Sequence, residues 1–233
     1  MTGFSDFSKR AFIFDMDGTL VDNMRFHAEA WQRMLAENNL IVDTHDFLFK
    51  TAGKTNREII PHFFKDADEE RLLELGLRKE TIYRELFLPE RRAIEGALEF
   101  LAEARNLGVK MAVATAAPVA NMEFVLDGLD LRQFFTAITT AGDVKNGKPN
   151  PEVFLVSAQK LGVEPKNCLV FEDAINGFEA ANRAGMKSIG IASVNSIEDI
   201  LKLDSVVEAH ADFNNLKPSA LIEKHLPLEI YAG

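Results

Sequence analysis

Asp15 and Asp17 stand two residues apart, directly after the apolar run Ala11-Phe12-Ile13-Phe14 and directly before Gly18-Thr19. A short apolar run bounded by turn residues predicts a buried strand. Along a strand, side chains at i and i+2 point to the same side. Both carboxylates would then share one small space. Either one of them carries a proton or a cation lies between them. Gly18 allows a turn where a Cβ would obstruct the chain. Asp and Gly are also ordinary turn residues, so DxDG alone is compatible with a plain polar turn.

The rest of the chain supplies partners for these acids. Thr115 closes the apolar run VKMAVAT, Lys148 sits in GKPNPE after the run Ala137 to Thr140, and Glu172-Asp173 follow Cys168 to Phe171. Each reads as a polar group at the carboxyl end of a strand. If those strands are parallel, all four groups meet at one rim, which is the pattern of a metal-assisted site. Several carboxylates without paired His or Cys ligands favour a hard, oxygen-seeking cation, with Mg²⁺ as first choice. Lys148 and Thr115 then suit a transferring phosphoryl group, whose spread negative charge needs positioning and neutralisation. One carboxylate could attack phosphorus to give an aspartyl phosphate, and another could move protons to the leaving oxygen and from water.

The elements that must hold these groups follow from periodicity. Residues 24–37 predict an amphipathic helix with Met24, His27, Trp31, Met34 and Leu35 on one face. Residues 44–90 stay helical in pattern, with caps expected at Asp43-Thr44 and Asp66. Gly53-Lys54-Thr55 superficially suggests a phosphate-binding P-loop, but the glycine required five residues earlier is Leu48. GKTNREII instead predicts a basic turn, with Lys54 and Arg57, entering a helix that Pro61 disturbs. A second helix is expected from about Glu69 to Leu88, with Lys79 and Tyr83 four apart on one side and solvated surface as the default for its basic residues. Leu88-Pro89-Glu90 and Glu95-Gly96 suggest a hinge.

From residue 97 strands and helices alternate, and Ala211-Asp212-Phe213 is the last expected strand. Alternation of this kind means a doubly wound α/β fold, a parallel sheet covered on both faces. The expected organisation is therefore a Rossmann-like core, residues 1–22 and 92–233, with an inserted α-helical cap domain, residues 23–91. An insert placed directly after the first strand would lie over the strand ends where open α/β sheets bind ligands.

Composition limits the function classes. The chain has 233 residues, 47% hydrophobic and 27% charged, which is globular rather than disordered. A net charge of −10 argues against a nucleic-acid partner. A single cysteine, Cys168, excludes an internal disulfide and is expected to be a small buried hydrophobe. The N-terminal stretch MTGFSDFSKR lacks a signal-peptide core, and no apolar run approaches the roughly 20 residues of a membrane span. A soluble, cytoplasmic protein without a membrane partner is expected, as a monomer or weak dimer.

Taken together, Asp15-Met-Asp17-Gly-Thr19, Thr115, Lys148 in KPNPE and Glu172-Asp173 in FEDAINGFEA resemble, in order, the four motifs of the haloacid dehalogenase superfamily. The resemblance runs from Phe12 to about Ile191. It implies Asp15 as nucleophile and Mg²⁺ ligand, and Asp17 as general acid/base that also binds metal through its backbone carbonyl. Thr115 and Lys148 would hold the phosphoryl group, and Asp173 with Glu172 would complete the metal shell. Within the superfamily the chain is similar to the β-phosphoglucomutase and sugar-phosphate phosphatase group, which implies substrate contacts from His27, Arg57 and Lys79. Two departures stand out. The spacing from Gly53 to Arg57 is one residue longer than in the mutase pattern. Where the mutase places a Ser-Lys pair for a second phosphate, this chain has Ala117-Pro118, which can donate neither charge nor side-chain hydrogen bonds. The expected activity is a Mg²⁺-dependent phosphatase for a small sugar or polyol phosphate. β-Phosphoglucomutase is the alternative, and a non-catalytic binding protein is the rival from another class.

Overall fold

The computed structural model describes residues 7–41 and 54–227. The caps expected at Asp43-Thr44, and Gly53 of the basic turn, lie outside the described residues. Strand β1 (Ala11–Phe14) is buried on both faces, as befits the middle of a parallel sheet. It pairs in parallel with β2 (Lys110–Ala114) on one side and β4 (Cys168–Glu172) on the other. With β3 (Ala137–Thr139), β5 (Lys187–Ile191) and β6 (Val206–His210), the sheet has the order β3-β2-β1-β4-β5-β6. The last strand thus falls at Val206–His210, not at 211–213. Its residues are half-buried, as on a sheet edge, so it lacks the apolar run that marks the inner strands.

Alternation along β1 divides the core in two. Phe12 and Phe14 point to one face, where Phe14 stacks on Phe171 at 4.5 Å and Phe12 on Phe100 at 5.7 Å. Phe100 belongs to helix α4 (Ala97–Asn106). Ala11 and Ile13 point to the other face, among Val170, Phe154 and Ala181. There α6 (Glu152–Leu161) and α7 (Ile175–Arg183) cover the sheet. Cys168 lies in this second layer, and burial pushes its thiol up to about 12, so it packs as a hydrophobe. Three further helices complete the described core: α5 (Val119–Leu126), α8 (Ile197–Ile200) and α9 (Pro218–His225).

Between β1 and β2 the chain is all helix among the described residues. Helix α1 (Met24–Glu37) packs against α3 (Glu69–Phe87), with the short α2 (Asn56–Ile59) beside them. Pro61 follows α2 in a single 3₁₀ turn, as its ring requires. The cap of α3 is Asp68, whose side chain accepts from Arg71 N–H, rather than the expected Asp66. The two passages between sheet and insert run side by side: Val21 bridges Ala93, and Ile94 N–H donates to Leu20 O at 2.9 Å. No helix among the described residues is long and apolar enough to cross a membrane.

Candidate active site

Chain order reverses between β1 and β4, and that switch point opens a crevice at the carboxyl ends of the strands. Asp15 extends β1 by one residue, donating its N–H to Phe171 O at 2.9 Å. The chain then turns through Gly18, whose φ of +86° is left-handed and whose missing Cβ would lie 2.2 Å from Asp173 Oδ2. Only glycine lets the two loops approach this closely.

Lys148 reaches the same point from the loop after β3. Its Nζ donates to Asp15 Oδ1 at 2.5 Å and to Glu172 Oε1 at 2.6 Å, with all three side chains buried. Burial works against the Lys148 ammonium, but the charges of Asp15 and Glu172 outweigh it and hold the group above its ordinary value. Glu172 uses its second oxygen to accept from the Asp173 and Ala174 N–H groups, each at 2.7 Å. It fixes both the lysine and the loop. Asp173 accepts from Thr19 Oγ1 and Ser193 Oγ, each at 3.3 Å.

Asp15, Glu172 and Asp173 present carboxylate oxygens within 4.8 Å of one another. Burial, then the charges of Glu172 and Asp17, push Asp15 up to about 8 against the pull of Lys148. Burial, Glu172 and Asp15 likewise push Asp173 well above the usual carboxylate range. Three crowded buried carboxylates facing one ammonium make an oxygen-rich donor set short of positive charge. That set fits a hard divalent cation such as Mg²⁺.

Thr115 is buried beside them. Its Oγ1 accepts from Ala117 N–H at 3.0 Å, which leaves the hydroxyl proton to donate to another group. Asp17 faces the other way, toward the insert. Its Oδ1 accepts from Asn23 Nδ2 at 2.5 Å and lies 3.5 Å from His27 Nε2. That His27 nitrogen is buried without a hydrogen-bond partner. The His27 ring stacks on Tyr83 at 3.8 Å, and its Nδ1 meets Lys79 Nζ at 2.9 Å.

Lys79 is therefore not solvated surface. It is 3% exposed, and it donates to Glu80 Oε1 at 3.0 Å. Arg57 is the expected contact that the structure does not bring in. It is exposed and paired with Glu69, whereas Lys54, Asn56 and Ile59 of the same segment line the cavity. The cavity, about 710 Å³ including its open mouth, also takes in Asp15, Asp17, Thr115, Glu172 and Asp173 from the sheet side and His27, Lys79 and Glu80 from the insert.

Sequence reasoning missed Asn23, Glu80 and Asn121. Asn23 Nδ2 donates to Tyr83 Oη at 2.6 Å as well as to Asp17, so it ties the acid loop to α3. Asn121 Nδ2 donates to Glu80 Oε2 at 2.6 Å. A signal existed for Asn121, a polar residue within the apolar run of α5. Glu80 is hidden in the charged string Arg78-Lys79-Glu80.

Comparison with known proteins agrees with this geometry. The chain is 36% identical to a phosphorylated carbohydrates phosphatase of Thermotoga maritima, over 81% of this chain and 87% of that protein. It is 34% identical to the fructose-1-phosphate phosphatase YqaB of Escherichia coli, over 77% of this chain and 94% of that one. The crystal structure of β-phosphoglucomutase from Clostridium difficile superposes with a TM-score of 0.81 at 30% identity, covering 93% of this chain and 97% of that one. A model of the haloacid dehalogenase-like hydrolases matches residues 9–185, and with the acid–lysine cluster at the switch point of the sheet it shows that this chain belongs to the haloacid dehalogenase-like hydrolase family.

Proposed function

We propose that the chain is a Mg²⁺-dependent phosphatase that hydrolyses a small sugar or polyol phosphate through an aspartyl phosphate. The observation that carries this reading is the convergence of Asp15, Thr115 and Asp173 on one cavity wall, with Asp17 beside them and Lys148 bonded to Asp15. Asp15 is the nucleophile: its carboxylate oxygen attacks phosphorus, and the bond from phosphorus to the leaving oxygen breaks. Asp17 gives that oxygen its proton, then takes one from water. The water oxygen attacks phosphorus, the bond to Asp15 breaks, and inorganic phosphate leaves. Lys148 and the Thr115 hydroxyl neutralise and hold the phosphoryl oxygens. Asp15, Asp173 and the Asp17 backbone carbonyl, with Glu172 adjacent, would hold Mg²⁺, which when bound supplies further charge neutralisation at the phosphoryl group.

The insert, residues 23–91, acts in this reading as a cap over a core of residues 1–22 and 92–233. Closing it excludes bulk water from the intermediate. The substrate class draws support from the relatives named for phosphorylated carbohydrates and fructose 1-phosphate. Likeness to a β-phosphoglucomutase favours the rival, in which a second hydroxyl of the sugar phosphate replaces water. Against that rival, Ala117 and Pro118 occupy the place where a second phosphate would need donors.

Phosphate release is the deciding measurement, run with and without Mg²⁺ over sugar and polyol phosphates, with conversion of β-glucose 1-phosphate to glucose 6-phosphate followed in parallel. Fast Mg²⁺-dependent release is expected, and Asp15→Asn should abolish it. Isomerisation with little free phosphate would establish the mutase, and near-native turnover by Asp15→Asn would remove Asp15 as nucleophile.

A further inference from the structure

The far wall of the cavity carries a buried carboxylate that the phosphoryl chemistry does not use. Glu80 is 5% exposed and lines the cavity with Asp15 and Asp17. Three donors hold it: Asn56 Nδ2 at 2.8 Å and Lys79 Nζ at 3.0 Å on Oε1, and Asn121 Nδ2 at 2.6 Å on Oε2. Asn121 is itself oriented, because its Oδ1 accepts from Arg84 at 2.7 Å. The donors come from α2, α3 and α5, so the carboxylate is fixed from both the insert and the sheet side. Burial alone would favour the neutral acid, but Lys79, His27 and Asn56 hold Glu80 down at about 2, so it is ionised.

This arrangement settles which charges remain for a ligand. Lys148, bonded to Asp15 and Glu172, serves the phosphoryl end, and at the far wall the Lys79 ammonium is spent on Glu80 and His27. Lys54, partly exposed, is the other lysine of the lining. An anion pressed against Glu80 Oε2 would meet an acceptor with no proton to give, with the partly exposed Lys54 as the lining lysine left to offset it, and acceptor facing acceptor out of water is repulsive. A hydroxyl group meets the opposite situation. Glu80 Oε2 takes one N–H and keeps a lone pair for a hydroxyl donor.

We infer that Glu80 is a specificity-determining residue: it admits a hydroxyl-bearing leaving group and excludes a second phosphate, so the site takes monophosphates and rejects bisphosphates. This rests on the phosphatase reading and narrows it. Calorimetric binding on the Asp15→Asn background with Mg²⁺ tests it, with a hexose monophosphate and the corresponding hexose bisphosphate as probes. The monophosphate should bind at least ~10-fold more tightly, and adding Glu80→Gln should shrink that preference to within about threefold. Glu80→Asp, which keeps the charge, should restore most of it. Equal or tighter bisphosphate binding with Glu80 in place overturns the inference, and that arm needs no substitution at Glu80, so it holds even if Glu80→Gln does not fold. An unchanged preference in a folded Glu80→Gln overturns it as well. If the native enzyme releases phosphate from the monophosphate in either case, the phosphatase reading stands and Glu80 alone is wrong. If neither probe binds and no phosphate is released, both fall together.

Discussion

Asp17 is built differently from its neighbour Asp15. Asp15 is locked to Lys148 among buried acids, whereas Asp17 turns toward Asn23 and the His27 ring. That division suits a nucleophile that stays put and an acid/base that exchanges protons. Asp17→Asn preserves shape but carries no transferable proton, so kcat should fall by roughly 10² to 10⁴. With an aryl phosphate, whose leaving oxygen needs no proton, Asp15 would still be phosphorylated, and rapid-quench labelling with radioactive substrate should find phosphate trapped on the protein. Near-native turnover would assign the proton to another group. The acids, Thr115 and Lys148 were all readable because each follows an apolar run and needs only topology to meet the others. Asn23, Glu80 and Asn121 were not, because their partners are remote: the Glu80–Asn121 bond joins positions 41 residues apart. Arg57 shows the reverse case, since charge type cannot reveal that its guanidinium pairs outward with Glu69.

Helix α3 connects the insert to the acid loop through Tyr83. The ring is fully buried between His27 and Phe87, and its hydroxyl accepts from Asn23. Burial, then the Asp17 charge, push the phenol well above its ordinary value, so it remains a neutral hydroxyl. Tyr83→Phe keeps both ring contacts and removes one buried hydrogen bond, so denaturant unfolding should show a loss of about 1 kcal/mol. No loss would mean that the Asn23 amide finds an equal partner elsewhere. The sequence made α1, α3 and α4 to α7 legible because each has an apolar face at helical spacing or a clear stop. Gly162, at φ +64°, ends α6 as expected. Edge strand β6 was misplaced for want of such a signal, and only the family resemblance drew Lys79 away from the solvated default, because a helical charge pattern does not show what packs against it.

The order in which strands follow along the chain was readable, but their order across the sheet was not. That order depends on pairings such as Phe14 with Phe171, which no local pattern contains. The C-terminal helix α9 closes this sheet by polar contacts. Arg10, just before β1, donates to Leu226 O at 2.7 Å and Pro227 O at 2.8 Å, and Lys187 at the start of β5 donates to His225 O at 3.0 Å. Glu208 on β6 takes the third tie, accepting from Lys224 and His225 at 2.7 Å and from His210 at 2.9 Å. Burial works to raise Glu208, but these donors outweigh it and lower the carboxyl from its ordinary 4.5 to about 2. A depressed folded-state value means that the native state binds the proton less readily than the unfolded chain. The stabilisation is therefore complete above about pH 4.5 and fades as pH falls toward 2. Glu208→Gln should cost about 1 kcal/mol at pH 7, the size expected of a partly solvated ion pair. Urea unfolding of both proteins at pH 7, 4 and 3 checks the sign: the gap should be widest at pH 7 and shrink at each lower step. A gap that persists undiminished at pH 3 would mean that the helix is held by packing and backbone contacts rather than by the Glu208 charge.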